Sequence, residues 1–279
     1  MGGRPVILSI AGYDPSSGAG ITADIKTAAA LDCYAVTCIT ALTVQSTQGV
    51  FEMEPVRPQI VRETLYRLAE DVEIAAVRIG MLGSAEVAKV VTKFFRRYLH
   101  RNIVLDPLLR SSSGAALIDN EGIQLIRKFL LPICDVVTPN VEEAAELVGI
   151  TPEVSWDSAE WEAALPEIRE LARRLHTMGS KAVVITGGHL PEANDYLSSS
   201  SETGAVERVF AGTRLDSRAT HGTGCAFATA LACGLAKGLS MPESVELAKD
   251  FVRKAITAAY PVGGGRGPMN HLFRLDKND

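Results

Sequence analysis

Short, continuous apolar runs alternate along the chain with longer segments in which apolar residues recur every three or four positions. The apolar runs are typical of strands buried on both faces, and the longer segments predict amphipathic helices. The predicted strands cover residues 6–11, 34–44, 75–80, 102–106, 135–138 and 182–186. The predicted helices cover residues 21–31, 57–70, 85–98, 121–131, 141–148, 158–178, 222–237 and 242–260. This alternation predicts an α/β protein with a central, mostly parallel sheet and helices on both faces.

The chain shows no internal repeat and no shift in composition that would divide it. Because α/β domains of this length are common as one unit, we expect a single domain over residues 1–279. The serine run at residues 198–201 predicts a hairpin tip between strands at 196–197 and 206–210. The acidic segment 151–161, which carries both tryptophans of the chain, predicts a surface loop and the start of a helix.

Composition and charge exclude several classes of protein. The net charge is −5 and no run of basic residues is longer than two, so we expect no nucleic-acid partner. The longest apolar stretch, residues 226–236, is far shorter than the ~20 residues that a membrane span needs. The odd number of cysteines and the lack of a C-x-x-C pair favour reduced thiols and a cytoplasmic location. The cysteines are Cys33, Cys38, Cys134, Cys225 and Cys233.

Polar residues or glycines follow nearly every predicted parallel strand. They are Gly12 and the loop 13–20, Gln45, Gly80 with Met81, Asp106, Asn140, and Gly187 with Gly188. In an open parallel sheet, ligands bind at the carboxyl ends of the strands. The sequence therefore predicts a ligand-binding cleft along this edge of the sheet.

Two nucleotide-binding patterns fit the sequence poorly. Residues 18–23 match a loose G-x-G-x-x-G/A pattern, but six residues separate them from the first strand, and the second strand contains no acidic residue to bind a ribose. The dipeptide Gly-Lys does not occur in the chain, which excludes a P-loop. We therefore expect neither a nicotinamide cofactor nor a Walker-type site.

The segment His221-Gly222-Thr223-Gly224-Cys225 is the most informative motif. Its glycines precede an apolar helix, so backbone N–H groups meet at a helix N-terminus and predict an anion-binding loop. A thiol in the first turn of that helix is expected to have a lowered pKa and to act as a base or nucleophile. The alternatives are a capped helix with a small buried cysteine, or a Cys–His hydrolase pair. The hydrolase is disfavoured because no orienting acid lies close by in the sequence.

Four further polar positions each allow a structural and a functional interpretation. Asp24, near the start of the first helix, either favours the helix dipole or faces the cleft and binds a substrate. The amide of Gln45 suits the edge of a nitrogen heterocycle, although such a residue is also ordinary in a loop. Asn140 and Glu143 have the spacing of a helix-capping pair. Alternatively, Glu143 and Asp106 order water around a Mg²⁺ ion on a nucleotide.

Taken together, these motifs resemble those of the hydroxymethylpyrimidine/phosphomethylpyrimidine kinases, a family of the ribokinase-like superfamily. The matching segments follow one another over almost the whole chain. They are residues 11–27, 39–45, 79–82, 104–107, 138–143, 187–189, 220–225 and 267–271. Single segments are weak signals, but the ordered series is highly specific.

The resemblance implies an ATP-dependent kinase of thiamine biosynthesis with Mg²⁺ as cofactor. It would phosphorylate 4-amino-5-hydroxymethyl-2-methylpyrimidine and then convert the monophosphate to the diphosphate. Cys225 would be the base, and the amides of Gly222, Thr223 and Gly224 would stabilise the transferred phosphoryl group. Gln45 and Asp24 would contact the aminopyrimidine. Gly12 and Met81 would shape its pocket.

For the nucleotide, the resemblance implies that Asp106, Asn140, Thr186 and Gly188 lie near ATP and that Glu143 and Asp106 serve Mg²⁺ through water. The family often has lysine where this chain has Thr186, and Lys181 or Arg218 are the candidates to replace it. Residues 110–114 correspond to a mobile flap.

This flap contains no cysteine, which favours the pyrimidine over pyridoxal. A pyridoxal kinase and a non-catalytic pyrimidine-binding sensor are the alternative functions. The resemblance also implies a homodimer.

Overall fold

All nine strands of the described chain belong to one sheet. The protein is described from a computed structural model, for residues 3–98, 101–111, 114–151, 156, 160–188, 190–201 and 204–276. The strands are β1 (Val6–Tyr13), β2 (Tyr34–Ser46), β3 (Gly49–Pro55), β4 (Ile74–Ile79), β5 (Ile103–Leu105), β6 (Val136–Val137), β7 (Ala182–Thr186), β8 (Asp195–Ser201) and β9 (Gly204–Phe210). Their order across the sheet is β3-β2-β1-β4-β5-β6-β7-β8-β9.

The centre of the sheet is parallel and its edges are antiparallel. Strands β2, β1, β4, β5, β6 and β7 pair in parallel. The hairpin strand β3 closes one edge, and β8 and β9 close the other, all antiparallel to their neighbours. The carboxyl ends of the six parallel strands therefore meet at one edge, where their following loops come together.

Helices cover both faces of the sheet, as the alternation of patterns predicts. The helices are α1 (Gly20–Ala30), α2 (Pro58–Asp71), α3 (Ala85–Arg97), α4 (Asn120–Leu125), α5 (Val141–Val148), α6 (Trp161–Thr177), α7 (Thr223–Ala236) and α8 (Met241–Thr257). Leu8 of β1 packs in the core with α2, α3, α5 and α6, while its neighbour Ile7 packs in the core with α1, α7 and α8. Successive side chains of a strand point to opposite faces, so these short apolar strands are buried on both sides.

Helix α7 is the most deeply buried helix of the fold. Every residue from Cys225 to Gly234 is buried, so the helix is apolar around its whole circumference. It contacts β1, β4 and β5 beneath it, and α1 and α8 on either side. Its N-terminus is consequently held in one place relative to the carboxyl ends of these strands.

Three local features differ from the sequence-based expectations. Strand β3 was not expected, because its side chains are largely exposed and it pairs with the end of β2 that extends beyond the sheet. The serine run is not a hairpin tip but part of β8, since main-chain pairing with β7 and β9 forms whatever the side chains are. Trp161 begins α6, as expected of this segment, but neither tryptophan is on the surface: both indoles are buried in the core.

Within the described residues, no helix is long and apolar enough to cross a membrane.

Candidate active site

A cleft of about 1670 Å³ runs along the carboxyl ends of the parallel strands. It is lined by all the predicted site residues except Asp24. They are Gly12, Gln45, Met81, Asp106, Asn140, Glu143, Thr186, Gly188, Gly222, Thr223, Gly224 and Cys225. Most of them lie at or just after the end of a parallel strand, whereas residues 222–225 come from the N-terminus of α7, so residues that are far apart in sequence meet here.

The loop before α7 packs directly against the loop after β1. Gly222 is the N-cap of α7 and has a φ of 80°. A Cβ atom at this position would lie 1.9 Å from the carbonyl oxygen of Gly18, and one at Gly18 would lie 2.4 Å from the ring of His221. Only glycines allow this approach, which brings the N-termini of α1 and α7 to the same region of the cleft.

Asp14 contacts residues of both loops through its carboxylate. The sequence analysis did not single out this residue. Its Oδ1 accepts hydrogen bonds from the N–H and hydroxyl of Ser16, at 2.7 Å each. Its Oδ2 accepts from the N–H groups of Gly18 and Ala19 and lies 2.8 Å from Nε2 of His221. Burial alone would raise the pKa of Asp14, but the hydrogen bonds from His221 and Ser16 outweigh burial and lower the pKa to about 2. The carboxylate is therefore charged at any pH near neutrality.

His221 belongs to this polar cluster and does not form a hydrolase pair with Cys225. Its Nε2 lies 3.0 Å from Nε2 of Gln45, in addition to its contact with Asp14. The hydroxyl of Thr43 donates to Oε1 of Gln45. Gln45 is thus held at the cleft wall with its amide partly exposed, where it can donate to and accept from a ligand.

Cys225 lines the cleft but does not have the expected low pKa. Its side chain is in the first turn of α7, and the N–H of Gly20 donates to the thiol. Burial raises the pKa of the Cys225 thiol to about 11, because the favourable charge of Arg78 does not offset burial and the nearby carboxylates of Asp106 and Asp24. The expectation of a lowered pKa was therefore wrong: it counted the helix terminus and not the burial.

Asp24 does not face the cleft, contrary to one of the two sequence-based interpretations. The residue is fully buried, and its carboxylate accepts hydrogen bonds from Ser9 (2.5 Å), Thr229 (2.7 Å) and Arg78 (3.2 Å). With both oxygens occupied inside the protein, Asp24 stabilises the packing of α1 against α7 and β4. It has no direct access to a ligand in this structure.

Asp106 and Glu143 both line the cleft, and their carboxylates are close enough for the charge of Asp106 to act on Glu143. Glu143 and Asn140 form the predicted capping box at the start of α5, with hydrogen bonds of 3.0 and 2.8 Å. Burial raises the pKa of Glu143 to about 8, and the charge of Asp106 adds to this shift. Such repulsion between two carboxylates is relieved when a cation binds.

This donor set fits Mg²⁺ better than it fits a transition metal. No group of three or more His, Cys, Asp or Glu side chains that could enclose a metal occurs among the described residues. Mg²⁺ is commonly held by one or two carboxylates together with substrate phosphates and water. Asp106 and Glu143 supply that number of carboxylates on the cleft wall.

Of the two candidates to replace a lysine at Thr186, Arg218 lines the cleft and Lys181 does not. Thr186 ends β7 and lines the cleft. Lys181 lies at the opposite end of β7, is 62% exposed, and pairs with Asp135, so it is excluded. Arg218 lines the cleft and is exposed. His189 and two flap residues, Ser112 and Ser113, lie outside the described part of the chain.

Several cationic residues that line the cleft were missed by the sequence analysis, among them Lys249 and Arg78. Lys249 of α8 lines the cleft and donates to Asp195 (2.6 Å) and to the carbonyl oxygen of Ala193 (2.5 Å). Arg78 lies inside β4, where it is fully buried. Arg78 did leave a signal, since a charged residue within an otherwise apolar strand must find partners in the interior.

The comparisons with known proteins agree with this geometry. A sequence model described as phosphomethylpyrimidine kinase matches residues 14–270. The hydroxymethylpyrimidine/phosphomethylpyrimidine kinase of Streptomyces coelicolor is 38% identical, over 97% of this chain and 96% of its own length.

Solved structures of kinases also superpose on this chain. The ADP complex of Bacillus subtilis pyridoxal kinase superposes with a TM-score of 0.84 at 29% identity, covering 98% of this chain and 100% of its own. The phosphomethylpyrimidine kinase of Clostridium difficile superposes with a TM-score of 0.77 at 31% identity, covering 91% of this chain and 100% of its own.

The nine-stranded sheet and the cleft at its carboxyl edge therefore define a kinase of ribokinase-like fold. Within that class, the chain belongs to the phosphomethylpyrimidine kinase family.

The hydrogen bonds of Asp14 to both loops predict that the protein loses stability in acid. The pKa of Asp14 is lowered from 3.8 to about 2 in the folded protein, so its contribution is complete above pH 5 and is lost as the pH falls toward 2. This contribution amounts to about 2 kcal/mol. We expect Asp14→Asn to lower the free energy of unfolding at pH 7 and to flatten its decrease between pH 5 and 3, measured by urea denaturation.

Asp71→Asn, a change at an exposed position near the end of α2, is the control and should keep the acid dependence of the parent protein. The same decrease in Asp14→Asn as in the parent protein would show that the Asp14 carboxylate does not stabilise the fold.

Proposed function

We propose that this kinase transfers the γ-phosphoryl group of ATP to the hydroxymethyl oxygen of 4-amino-5-hydroxymethyl-2-methylpyrimidine. A second transfer then acts on the phosphate of the product. The observation that carries the proposal is the position of Cys225: it lies at the N-terminus of α7, in the cleft that also contains Gln45 and Met81 and the carboxylates of Asp106 and Glu143. We propose residues 1–279 as one kinase domain, supported by the single sheet of the described chain.

The N-terminus of α7 would stabilise the phosphoryl group during transfer. No side chain caps this terminus and no acidic residue is in its first turn, so its N–H groups are available to an anion. Unpaired N–H groups and the positive end of the helix dipole bind phosphoryl oxygens. Gly222, Thr223 and Gly224 would contribute these amides, which stabilise negative charge as it develops on the transferred group.

Cys225 would accept the proton of the substrate hydroxyl. As the hydroxyl oxygen attacks the γ-phosphorus, the thiolate takes the proton, the bond from the γ-phosphorus to the bridging oxygen breaks, and ADP leaves. The thiol then returns its proton to solvent. Because the pKa of Cys225 is about 11, the thiolate fraction at pH 7 is small and increases tenfold with each pH unit.

The pyrimidine would lie between β1 and β2 at the cleft wall. The amide of Gln45 can donate to a ring nitrogen and accept from the exocyclic amine. Gly12 leaves space for Met81, because a Cβ at position 12 would lie 2.5 Å from the methionine methyl group. Met81 then offers an apolar surface to the flat ring.

The nucleotide would occupy the part of the cleft beyond Cys225. Asn140, Thr186 and Gly188 line this region and would contact the phosphates of ATP. Asp106 and Glu143 would hold Mg²⁺, directly or through water. When bound there, Mg²⁺ supplies positive charge that neutralises the nucleotide phosphates. Arg218 is the cleft residue proposed to replace the lysine absent at position 186.

We further propose that the protein forms a homodimer through the β2–β3 hairpin. Leu42, Val44 and Phe51 are 50%, 57% and 67% exposed, and β3 is an edge strand of the sheet. Exposed apolar side chains along an edge strand are typical of a surface that another chain covers. The five free, buried cysteines support a reducing compartment such as the cytoplasm.

The substrate assignment is tested by ADP release with Mg-ATP, with the pyrimidine and pyridoxal offered separately and the products identified by mass. We expect the diphosphate from the pyrimidine, and a kcat/KM for pyridoxal at least tenfold lower. Comparable or faster turnover of pyridoxal would assign the protein to vitamin B6 salvage instead. Binding of the pyrimidine without ADP release would favour the sensor.

The role of Cys225 is tested by its alanine variant. We expect Cys225→Ala to lower kcat by about 100-fold or more and to leave the KM for the pyrimidine nearly unchanged, because a general base contributes about 10²–10⁴ to the rate. The kcat of the parent protein should increase with pH between 7 and 9.5, and this increase should be absent from the variant.

Cys134→Ala is the matched control, because Cys134 is a buried thiol outside the cleft, and it should keep the pH dependence of the parent protein. Normal turnover by Cys225→Ala would refute the assignment of the base.

The dimer is tested by light scattering on the parent protein and on Val44→Glu. We expect a mass near 60 kDa for the parent, about twice the 29.8 kDa of the chain, and a monomer for the variant, because a buried charge opposes association. Leu239→Glu adds the same charge at another exposed site and should remain dimeric. A monomeric parent protein would contradict the proposal.

A further inference from the structure

One buried guanidinium forms part of the floor of the cleft. Arg78 is in the middle of the sheet, on β4, and its side chain is 0% exposed. Its Nη1 donates to Asp24 at 3.2 Å and its Nη2 donates to Asp106 at 2.6 Å. A single residue thus links a carboxylate of α1 with a carboxylate that follows β5 and lines the cleft.

The same guanidinium donates a hydrogen bond to the thiol of Cys225. Its charge lowers the pKa of that thiol, whereas burial and the carboxylates of Asp106 and Asp24 raise it. These are the charged groups that face Cys225 from β4, the loop after β5, and α1. The proposed base and a proposed Mg²⁺ ligand therefore share one cation.

The carboxylate of Asp24 holds the guanidinium of Arg78 and is itself held by two hydroxyl groups. Its second carboxylate oxygen accepts from the hydroxyl of Thr229, at 2.7 Å, and Ser9 of β1 donates to the first oxygen at 2.5 Å. Thr229 lies one helical turn beyond Cys225 on α7. Hydrogen bonds thus connect α7, β1 and β4 around Arg78.

The absence of a side chain at Gly80 leaves the space that the guanidinium of Arg78 occupies. A Cβ at residue 80 would lie 2.0 Å from Nη1 of Arg78 and 2.8 Å from Nη2. The guanidinium thus occupies the space that any other residue at position 80 would fill. The glycine is therefore needed for the contacts of Arg78 with Asp24 and Asp106.

We propose that Arg78 is a positioning residue for the phosphoryl transfer: its guanidinium holds the Asp106 carboxylate and the Cys225 thiol in fixed places on the cleft floor. Asp106 is held toward the nucleotide and Cys225 toward the substrate hydroxyl. Arg78 itself, being fully buried, touches neither substrate. This inference rests on the roles proposed above for Cys225 and Asp106.

The test compares Arg78→Lys and Gly80→Ala with the parent protein. Arg78→Lys keeps the charge but lacks the second arm of the guanidinium, so it cannot reach both carboxylates. Gly80→Ala leaves Arg78 in place but displaces its guanidinium. The two variants thus disturb the same contacts by independent routes, and Arg78→Met removes the charge altogether.

The first measurement is the rate at which iodoacetamide alkylates Cys225 in the ligand-free protein at pH 8, followed by peptide mass. Because the thiolate is the reactive form, we expect alkylation to slow in the order parent, Arg78→Lys, Arg78→Met, with about a tenfold decrease or more in the last. Gly80→Ala should resemble Arg78→Lys. Cys38, Cys134 and Cys233 serve as internal references in the same digests, since all three are buried away from the cleft.

If Arg78 had a purely structural role, its replacement would change the rate of alkylation in the opposite direction. If Arg78 only stabilised the fold, its loss would loosen the protein, and Cys225 and the reference cysteines would all be alkylated faster. That result would overturn the proposal, and so would an unchanged rate at Cys225 in folded variants. Circular dichroism identifies which variants are folded, and Gly80→Ala keeps the test decisive where Arg78→Met does not fold.

The second measurement is steady-state kinetics with the pyrimidine. We expect Arg78→Lys and Gly80→Ala to lower kcat at least tenfold with less than a threefold change in the KM for the pyrimidine. Arg67→Lys, an exposed arginine on α2, is the control and should match the parent protein. Increases in KM at constant kcat would overturn the proposal.

Different results would refute the proposed function and the proposed role of Arg78. If the parent protein does not phosphorylate the pyrimidine, the proposed function fails, and alkylation still measures the coupling of Arg78 to Cys225. If the parent protein is active and alkylation of Cys225 does not depend on Arg78, only the present inference fails.

Discussion

The active site depends on the close packing of two loops, one after β1 and one before α7. Gly222 adopts a left-handed conformation in contact with the carbonyl group of Gly18, and no side chain fits between them. Asp14 and His221 then join the loops by a short hydrogen bond. This packing brings the N–H of Gly20 to the thiol of Cys225 and directs two helix N-termini at one region of the cleft. The proposed phosphoryl and substrate sites are thereby placed side by side.

Burial controls the charges of this site in two opposite ways. The carboxylate of Asp14 receives several hydrogen bonds, and these outweigh burial and lower its pKa to about 2. Cys225 and Glu143 have fewer stabilising partners, so burial raises their pKa values, to about 11 and about 8. The difference lies both in how many donors each group receives and in how completely burial removes it from water. The proposed base and one proposed Mg²⁺ ligand therefore both have raised pKa values, which disfavour their charged forms in the ligand-free protein.

The architecture could be predicted from local patterns to a large extent. Apolar strands alternating with amphipathic helices specify a covered parallel sheet, and the helix Val141–Val148 and the strand Ala182–Thr186 have the predicted bounds. The prediction failed where side-chain pattern and main-chain pairing diverge. Strand β3 and the serine-rich end of β8 are strands because a neighbouring strand supplies hydrogen bonds, a property that periodicity does not record.

Most of the predicted site residues do line the cleft, because the topology of a parallel sheet places every strand's carboxyl end at one edge. The amino-acid sequence by itself therefore determined the fold class, the family, and which loops meet. Only the tertiary structure decided what individual side chains do there. Asp24 and Asp14 are both acids near the first loop, yet one is buried against Arg78 and the other anchors His221. Likewise, the pKa of Cys225 depends on burial and on residues 78 and 106, which approach it only in the folded chain. Electrostatic interactions act over a few ångströms of space, and sequence separation does not reveal such distances.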